Sequence, residues 1–478
     1  MGRLVEMLRQ NSESGAYPLH MPGHKRAWEW NINPYKYDIT ETEGFDDLHR
    51  PTGVLAELNG RLAAKYGADE AFLTVNGSTS GVLAAVSAAA ESGGMLLLDR
   101  NSHRSAYNAA FLRRLRTEYI YPQIDCKTGI AEGYSHAQVG KILREKPGIQ
   151  AVYVTSPTYE GVVLDIKKIA ETVHAYGLPL IVDAAHGAHL GLYRGFPDNP
   201  LSEGADVVVM SLHKTLPVFT QTAVICLKGG RVSAEKLRRY FDIYVSTSPS
   251  YLLMASAERC MDFLDSEGEA AFAKYRERLC RFRSECEALK HLYLWKYDGT
   301  YDFGKLVICT DKSSLSGQRL SELLRERYGL EVELASAAYV LAMTSCMDGH
   351  ECYERLLFAL KEIDSECGEA GLSGNAEAMP VPTRVQKLCE AWEAEGMEYV
   401  RTPLSEAAGG VSADYVYVYP PGVPWLVPGE IIDENAVRRI EEYMDRNIEV
   451  RGVEKDGGIK ILTDLHKKAL NSDIYKGL

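Results

Sequence analysis

Between residues 53 and 227 the chain alternates short, continuous apolar runs with stretches whose apolar positions recur at helical spacing. The apolar runs fall at 71–75, 95–99, 151–155, 180–183, 206–212 and 222–227. Segments 81–90, 103–115, 138–145 and 166–176 carry the amphipathic spacing of helices. Strands that are apolar on both faces must be covered on both, so the pattern predicts an α/β fold with a mostly parallel sheet between helices. Right-handed crossovers then place the strand C-termini along one edge, where α/β ligand sites form.

The flanking regions read differently. Residues 1–52 have a short amphipathic start and are then punctuated by Pro18, Pro22, Gly23 and Pro34, which predicts an arm. A long helical stretch over 251–289 acts as a connector, followed by strands at 305–310 and 339–345 and helices at 317–325 and 351–366. A small-residue loop, 368–382, precedes a final helix–strand–helix section. The expected division is an arm over 1–52, a large domain over 53–295 and a smaller α+β C-terminal domain over 296–478.

Composition narrows the class. Lys and Arg number 53 against 66 Asp and Glu, a net charge of −13, which argues against nucleic acid as a partner because that needs a dense positive footprint. The apolar runs are far below membrane-spanning length, so no membrane partner is expected. The start of the chain lacks the apolar core of a secretory signal. Ten scattered cysteines include no CxxC pair, so neither a structural zinc nor any other resident metal is expected. Reduced cysteines in the cytoplasm are the simplest reading.

Four segments end at the expected sheet edge with reactive groups. Val75-Asn76-Gly77-Ser78-Thr79-Ser80-Gly81 is a strand, then a small-residue turn opening a helix, where backbone N–H groups and the hydroxyls of Ser78 and Thr79 suit a phosphate. It is neither a Walker loop nor GxGxxG. In the second, Asp99 to Ser105, His103 at a helix start is an ordinary cap or a ring that stacks on an aromatic cofactor. In the third, Asp183 ends a buried strand and is followed by His186 and His189; a buried acid demands a cation or donors, and a protonated pyridine nitrogen is one such cation. Metal ligation by Asp183, His186 and His189 competes with that reading. The fourth, Val208 to Thr215, puts Ser211, His213 and Lys214 just past an apolar strand, where a partly desolvated lysine can lose its proton and attack an aldehyde. Taken in this order, phosphate turn, His, strand-end Asp and Ser-x-His-Lys point to a pyridoxal-phosphate enzyme with the aspartate-aminotransferase type of fold.

Further segments carry a more specific likeness. Pro18-Leu-His-Met-Pro-Gly-His-Lys25, Asp38-Ile-Thr-Glu41 with Asp46-Asp47-Leu48-His49, Thr155-Ser-Pro-Thr-Tyr159, Ala185-His-Gly-Ala-His189, Thr220-Gln-Thr222, 246–256, Tyr419-Pro-Pro-Gly422 and Pro428-Gly429-Glu430 occur in order with the four above. Together they resemble the Orn/Lys/Arg decarboxylase family in its shorter form, densely over 17–260 and sparsely in the C-terminal third. The resemblance implies pyridoxal 5'-phosphate as cofactor, with Lys214 forming the Schiff base and Asp183 on the pyridine nitrogen. It also implies that His103 stacks on the ring, that Gly77, Ser78 and Thr79 hold phosphate, and that His186, Ser211 and His213 support the cofactor and lysine. Ser248, in 246–250, would reach a neighbouring subunit's cofactor, making a homodimer or higher homo-oligomer with shared active sites.

The implied reaction is decarboxylation of a basic amino acid, arginine to agmatine first and lysine to cadaverine second, with Lys214 or His213 returning the proton. The distal cation needs an acid, for which Glu41, Glu43, Asp46, Asp47 and Glu160 are candidates. Ala184, Glu160, Phe45 and Phe219 depart from the family pattern. Two other readings stay open: a different reaction on the same fold, such as transamination with Arg401 holding a carboxylate, and a catalytically silent binding or regulatory protein.

Overall fold

The computed structural model describes residues 3–368, 385–419, 422–445 and 448–463. Pro420, Pro421 and all but the first residue of the 368–382 loop lie outside the described residues.

Seven strands build the large sheet: β1 (Glu70–Thr74), β2 (Met95–Asp99), β3 (Arg116–Ile120), β4 (Ile149–Thr155), β5 (Leu180–Asp183), β6 (Val207–Met210) and β7 (Ala223–Leu227). Their order is β1-β7-β6-β5-β4-β2-β3. The contacts among β3, β2, β4, β5 and β6 are parallel, and β7 runs antiparallel between β6 and β1. The connection 211–222 holds only the single helical turn Leu212–Thr215 and no crossover helix, and the chain turns back after β6.

Strand β3 is absent from the sequence reading. Its residues RTEYI sit at the sheet edge, with Arg116 exposed and Glu118 half-buried, so no apolar run marks it. Helix Gly77–Ala89 lies tightly on the sheet. A Cβ added at Gly81 would come within 2.8 Å of Val209 Cγ1, so the last glycine of the NGSTSG run permits this approach.

The expected connector over 251–289 is two helices, Tyr251–Ser266 and Gly268–Cys286. Tyr193 explains the break. Its hydroxyl donates to the Leu264 carbonyl at 2.8 Å, and a Cβ on Gly268 would meet that same oxygen at 1.8 Å.

A second, antiparallel sheet contains β8 (Tyr293–Leu294), β9 (Lys305–Cys309), β10 (Leu334–Ala335) and β11 (Tyr339–Met343) in the order β8-β9-β11-β10. Alternation divides its faces: Leu306, Ile308, Val340 and Ala342 join the main core, whereas Val307, Cys309, Tyr339 and Leu341 pack with Trp295 and Ile130. Further on, Leu404, Val416, Leu426, Ile432, Ile440 and Ile461 form a core of their own.

The arm is stitched to this second region. Tyr17–Leu19 pairs in parallel with Leu330–Val332. The buried Lys25 amine donates to the carbonyls of Pro18 at 3.0 Å, His20 at 2.6 Å and Met343 at 2.8 Å. Among the described residues no helix is long and apolar enough to cross a membrane.

Candidate active site

Parallel strands deliver their last residues to one edge. Asp99 ends β2, Thr155 ends β4, Asp183 ends β5, and Ser211 follows β6. Lys214 is carried by the single helical turn Leu212–Thr215 just beyond Ser211. The arm covers this turn: Gly23 N–H donates to the His213 carbonyl at 2.8 Å. A Cβ on Gly23 would lie 2.7 Å from the Thr215 carbonyl carbon, so only glycine fits.

Asp183 is buried. Its Oδ2 accepts from Tyr153 Oη at 2.9 Å and its Oδ1 from the Ala185 N–H at 3.0 Å. It forms no ion pair among the described residues, leaving a buried carboxylate able to receive a cationic N–H. Lys214 Nζ lies 2.9 Å from His186 Nε2, and burial lowers the lysine's pKa against the opposing pull of Asp183 and Glu333.

On the neighbouring helix start, His103 caps Arg104–Leu112, its Nδ1 accepting the Ser105 N–H at 3.2 Å. Burial and then Lys214 lower the His103 pKa. Gly422 closes over this ring, its carbonyl accepting the Arg104 N–H at 3.1 Å. The small-residue turn meets the lysine strand through Ser211 Oγ and Ser78 Oγ, 2.8 Å apart. Gly77 has φ +72°, which glycine tolerates, and gives its N–H to the Gln221 carbonyl at 2.8 Å. Thr79 stands exposed on the first turn of the helix.

Other expected residues have different surroundings. The His213 ring turns to the Thr222 carbonyl, 3.0 Å from Nδ1, and burial lowers its pKa to about 4. His189 turns to Asp302 at 3.2 Å, so the residues weighed as a metal trio, Asp183, His186 and His189, have separate partners. Asp46 is a helix anchor: its carboxylate accepts the N–H groups of Thr52, Gly53, Leu55 and Ala56 at the start of helix Val54–Tyr66. Asp47 accepts the His49 N–H at 2.8 Å, and Glu41 is exposed on the arm. Ser248 is exposed, while its neighbour Ser246 donates its N–H to Asn76 Oδ1 beside the turn. Arg401, weighed as a carboxylate anchor, is exposed and pairs with Glu454 at 2.6 Å.

Glu160 is buried, accepts from Tyr339 Oη at 3.0 Å, and has its pKa raised by burial. It lines a cavity of about 130 Å³ with Arg100, Ser336, Tyr339 and Trp425. Two residues near Lys214 escaped the sequence reading. Glu333 receives the Tyr159 hydroxyl on Oε1 and the Met21 N–H on Oε2 at 3.0 Å. Lys305, on β9, is buried with Nζ 2.7 Å from His186 Nδ1. Both come from the second region, where no strand-end motif marks them.

The fold is shared with amino-acid decarboxylases. The crystal structure of the Francisella novicida lysine decarboxylase superposes with a TM-score of 0.76 at 17% identity, covering 90% of this chain and 75% of that one. Sequence narrows the kinship. Residues 3–298 match the Orn/Lys/Arg decarboxylase major domain and residues 378–452 its C-terminal domain. The chain belongs to the Orn/Lys/Arg decarboxylase family. It is 29% identical to the arginine decarboxylase of Bacillus subtilis over 94% of both chains. It is 30% identical to that of Halalkalibacterium halodurans over 91% of this chain and 92% of the relative.

Proposed function

We propose that the protein is a pyridoxal-phosphate-dependent decarboxylase of a basic amino acid, with arginine to agmatine and CO2 as the first choice of reaction and lysine to cadaverine as the next. The carrying observation is the half-buried Lys214 amine at the sheet edge, beside a buried Asp183 that has donors but, among the described residues, no ion-pair partner. That donor set fits the cofactor. When bound, it supplies an aldehyde for an amine and a protonated ring that accepts the electron pair of the breaking bond.

Around that chemistry the chain's residues divide the work. Lys214 Nζ is the amine that would hold the cofactor aldehyde. Asp183 would pair with the cofactor's ring nitrogen and His103 would pack against the ring. Ser78, Ser211 and the helix start after Gly77 would hold the phosphate. Lys214 Nζ would return the proton to the product, while the Thr222 carbonyl, on Nδ1, fixes the ring of the neighbouring His213. Exclusion of water from this buried edge favours departure of a carboxylate as neutral CO2.

The distal cation of the substrate is met by the two carboxylates flanking Tyr159, Glu160 in sequence and Glu333 through the Tyr159 hydroxyl. The active unit is a homodimer in which the exposed Ser248 reaches the partner's phosphate site. The division into an arm, a large cofactor domain over 53–295 and a smaller domain belongs to the same reading.

Incubation of the reconstituted protein with arginine, lysine and ornithine in turn, measuring CO2 and amine, tests the assignment. Arginine turnover is expected, and Lys214→Ala abolishes both turnover and the visible absorbance of the bound cofactor. A keto acid formed without CO2 would replace decarboxylation by transamination. Glu160→Gln and Glu333→Gln are each expected to raise KM for arginine at least about tenfold, a loss of about 1.4 kcal/mol. Unchanged KM in both would remove them from the substrate site.

A further inference from the structure

Two lysines, Lys305 buried and Lys214 half-buried, bracket one imidazole. Lys305 Nζ lies 2.7 Å from His186 Nδ1, and Lys214 Nζ lies 2.9 Å from His186 Nε2. We infer that Lys305 is a positioning residue that fixes the tautomer of His186 and, through it, holds Lys214 as the free amine. The inference rests on Lys214 being the reactive amine and adds a residue from a different sheet to its control.

Hydrogen-bond valence limits what one ring can satisfy. A neutral imidazole has one N–H and one lone pair, whereas an ammonium only donates. Two ammonium groups therefore cannot both be satisfied by one neutral ring. An imidazolium would place three cations in contact inside the protein, and burial, Lys214 and Lys305 all push the His186 pKa well down. The ring is neutral, so one lysine donates to it and the other accepts from it.

The surrounding charges decide which lysine keeps its proton. Lys305 is drawn toward the charged form by Asp302, Glu333 and Glu160. Lys214 has Asp183 and Glu333 as its acids, with the His103 and His213 rings as the neighbouring bases. The Asp183 oxygens already accept from Tyr153 Oη and the Ala185 N–H, so less negative charge remains for Lys214. Burial brings the Lys305 pKa to about 8, which still leaves it mainly protonated at neutral pH. The charge therefore rests on Lys305, which donates to Nδ1, and His186 Nε2–H donates to the lone pair of Lys214.

Lys305 is also mechanically fixed. A Cβ on Gly161, at φ +111°, would lie 2.9 Å from Lys305 Cγ, so the stem runs directly over that glycine. The Lys305 carbonyl accepts from Tyr301 Oη at 2.7 Å and from Arg283 at 2.9 Å. The Tyr159 ring packs edge-on against His186 at 4.6 Å and holds the imidazole plane.

The test uses full-length apoprotein, so that it does not depend on turnover. Reductive methylation of Lys214, followed across pH by peptide mass spectrometry, reports its pKa in wild type, Lys305→Met and Lys305→Arg. Lys305→Met is expected to raise that pKa by at least about one unit, roughly tenfold less labelling at a fixed pH on the acidic side. Lys305→Arg keeps the charge and is expected to retain the low value. Nitrogen-15 NMR of histidine-labelled wild type, with His186→Gln for assignment, is expected to show the His186 proton on Nε2. An unshifted profile in a folded Lys305→Met protein overturns the inference, as does a wild-type His186 proton on Nδ1; the latter measurement needs no variant that might misfold. Normal decarboxylation with an unshifted Lys214 would reject this inference alone. A low Lys214 pKa without turnover of any basic amino acid would reject the proposed function alone.

Discussion

Single atoms decide much of this site. Gly23 has no side chain because the Thr215 and Leu216 backbone occupies the space where one would begin. Gly23→Ala is expected to destabilise the fold by about 1–3 kcal/mol, as overpacking does, and to weaken cofactor absorbance by displacing the Lys214 turn. Denaturant melts and titration with pyridoxal phosphate check both effects. His213 supplies a pH signature. Its folded-state pKa of about 4 lies below the ordinary 6.5, so the unfolded chain binds more protons between these values. The stabilisation is complete above about pH 6.5 and lost as pH falls toward 4, at most about 3.4 kcal/mol on the 1.36 kcal/mol-per-unit scale. Urea midpoints at pH 7 and pH 5 are expected to differ less in His213→Gln than in wild type. Lys214, Asp183 and His103 were legible because strand ends advertise them. Lys305 and Glu333 were not, since nothing in a lysine within an apolar strand, or a glutamate in a short β segment, announces an imidazole or tyrosine on another sheet.

At the scale of elements, the apolar runs located every large-sheet strand except β3, whose one-sided edge position lets Arg116 and Glu118 interrupt the pattern. The helical period over 251–289 likewise continued across a break caused by Tyr193, a residue distant in sequence. Tyr193→Phe removes the donor to the Leu264 carbonyl and is expected to cost about 1 kcal/mol of stability. The acidic run 41–47 shows how one composition hides different tasks. Asp46 gathers the N–H groups opening helix Val54–Tyr66, so Asp46→Ala is expected to cost about 0.5–2 kcal/mol, read by thermal melting. Glu41 remains exposed.

For the whole molecule, the net charge of −13 describes an acidic surface, yet the reactive edge gathers Lys214, Lys305, His103, His186 and His213. Net charge therefore says little about one pocket. In the proposed dimer, Ser248→Glu is expected to weaken pyridoxal-phosphate binding at least about tenfold by setting a carboxylate against the phosphate. Light scattering and cofactor titration measure assembly and affinity separately.

The Lys25 amine, held by carbonyls of Pro18 and His20 in the arm and Met343 in β11, fastens an early segment of the chain to one made much later. Gly23, which roofs the Lys214 turn, lies inside that fastening. The Met343 carbonyl that completes this fastening is made long after β7, so the roof over the Lys214 turn is secured late in synthesis. Chain order thus places the last partner of the Lys25 amine nearly three quarters of the way along the polypeptide.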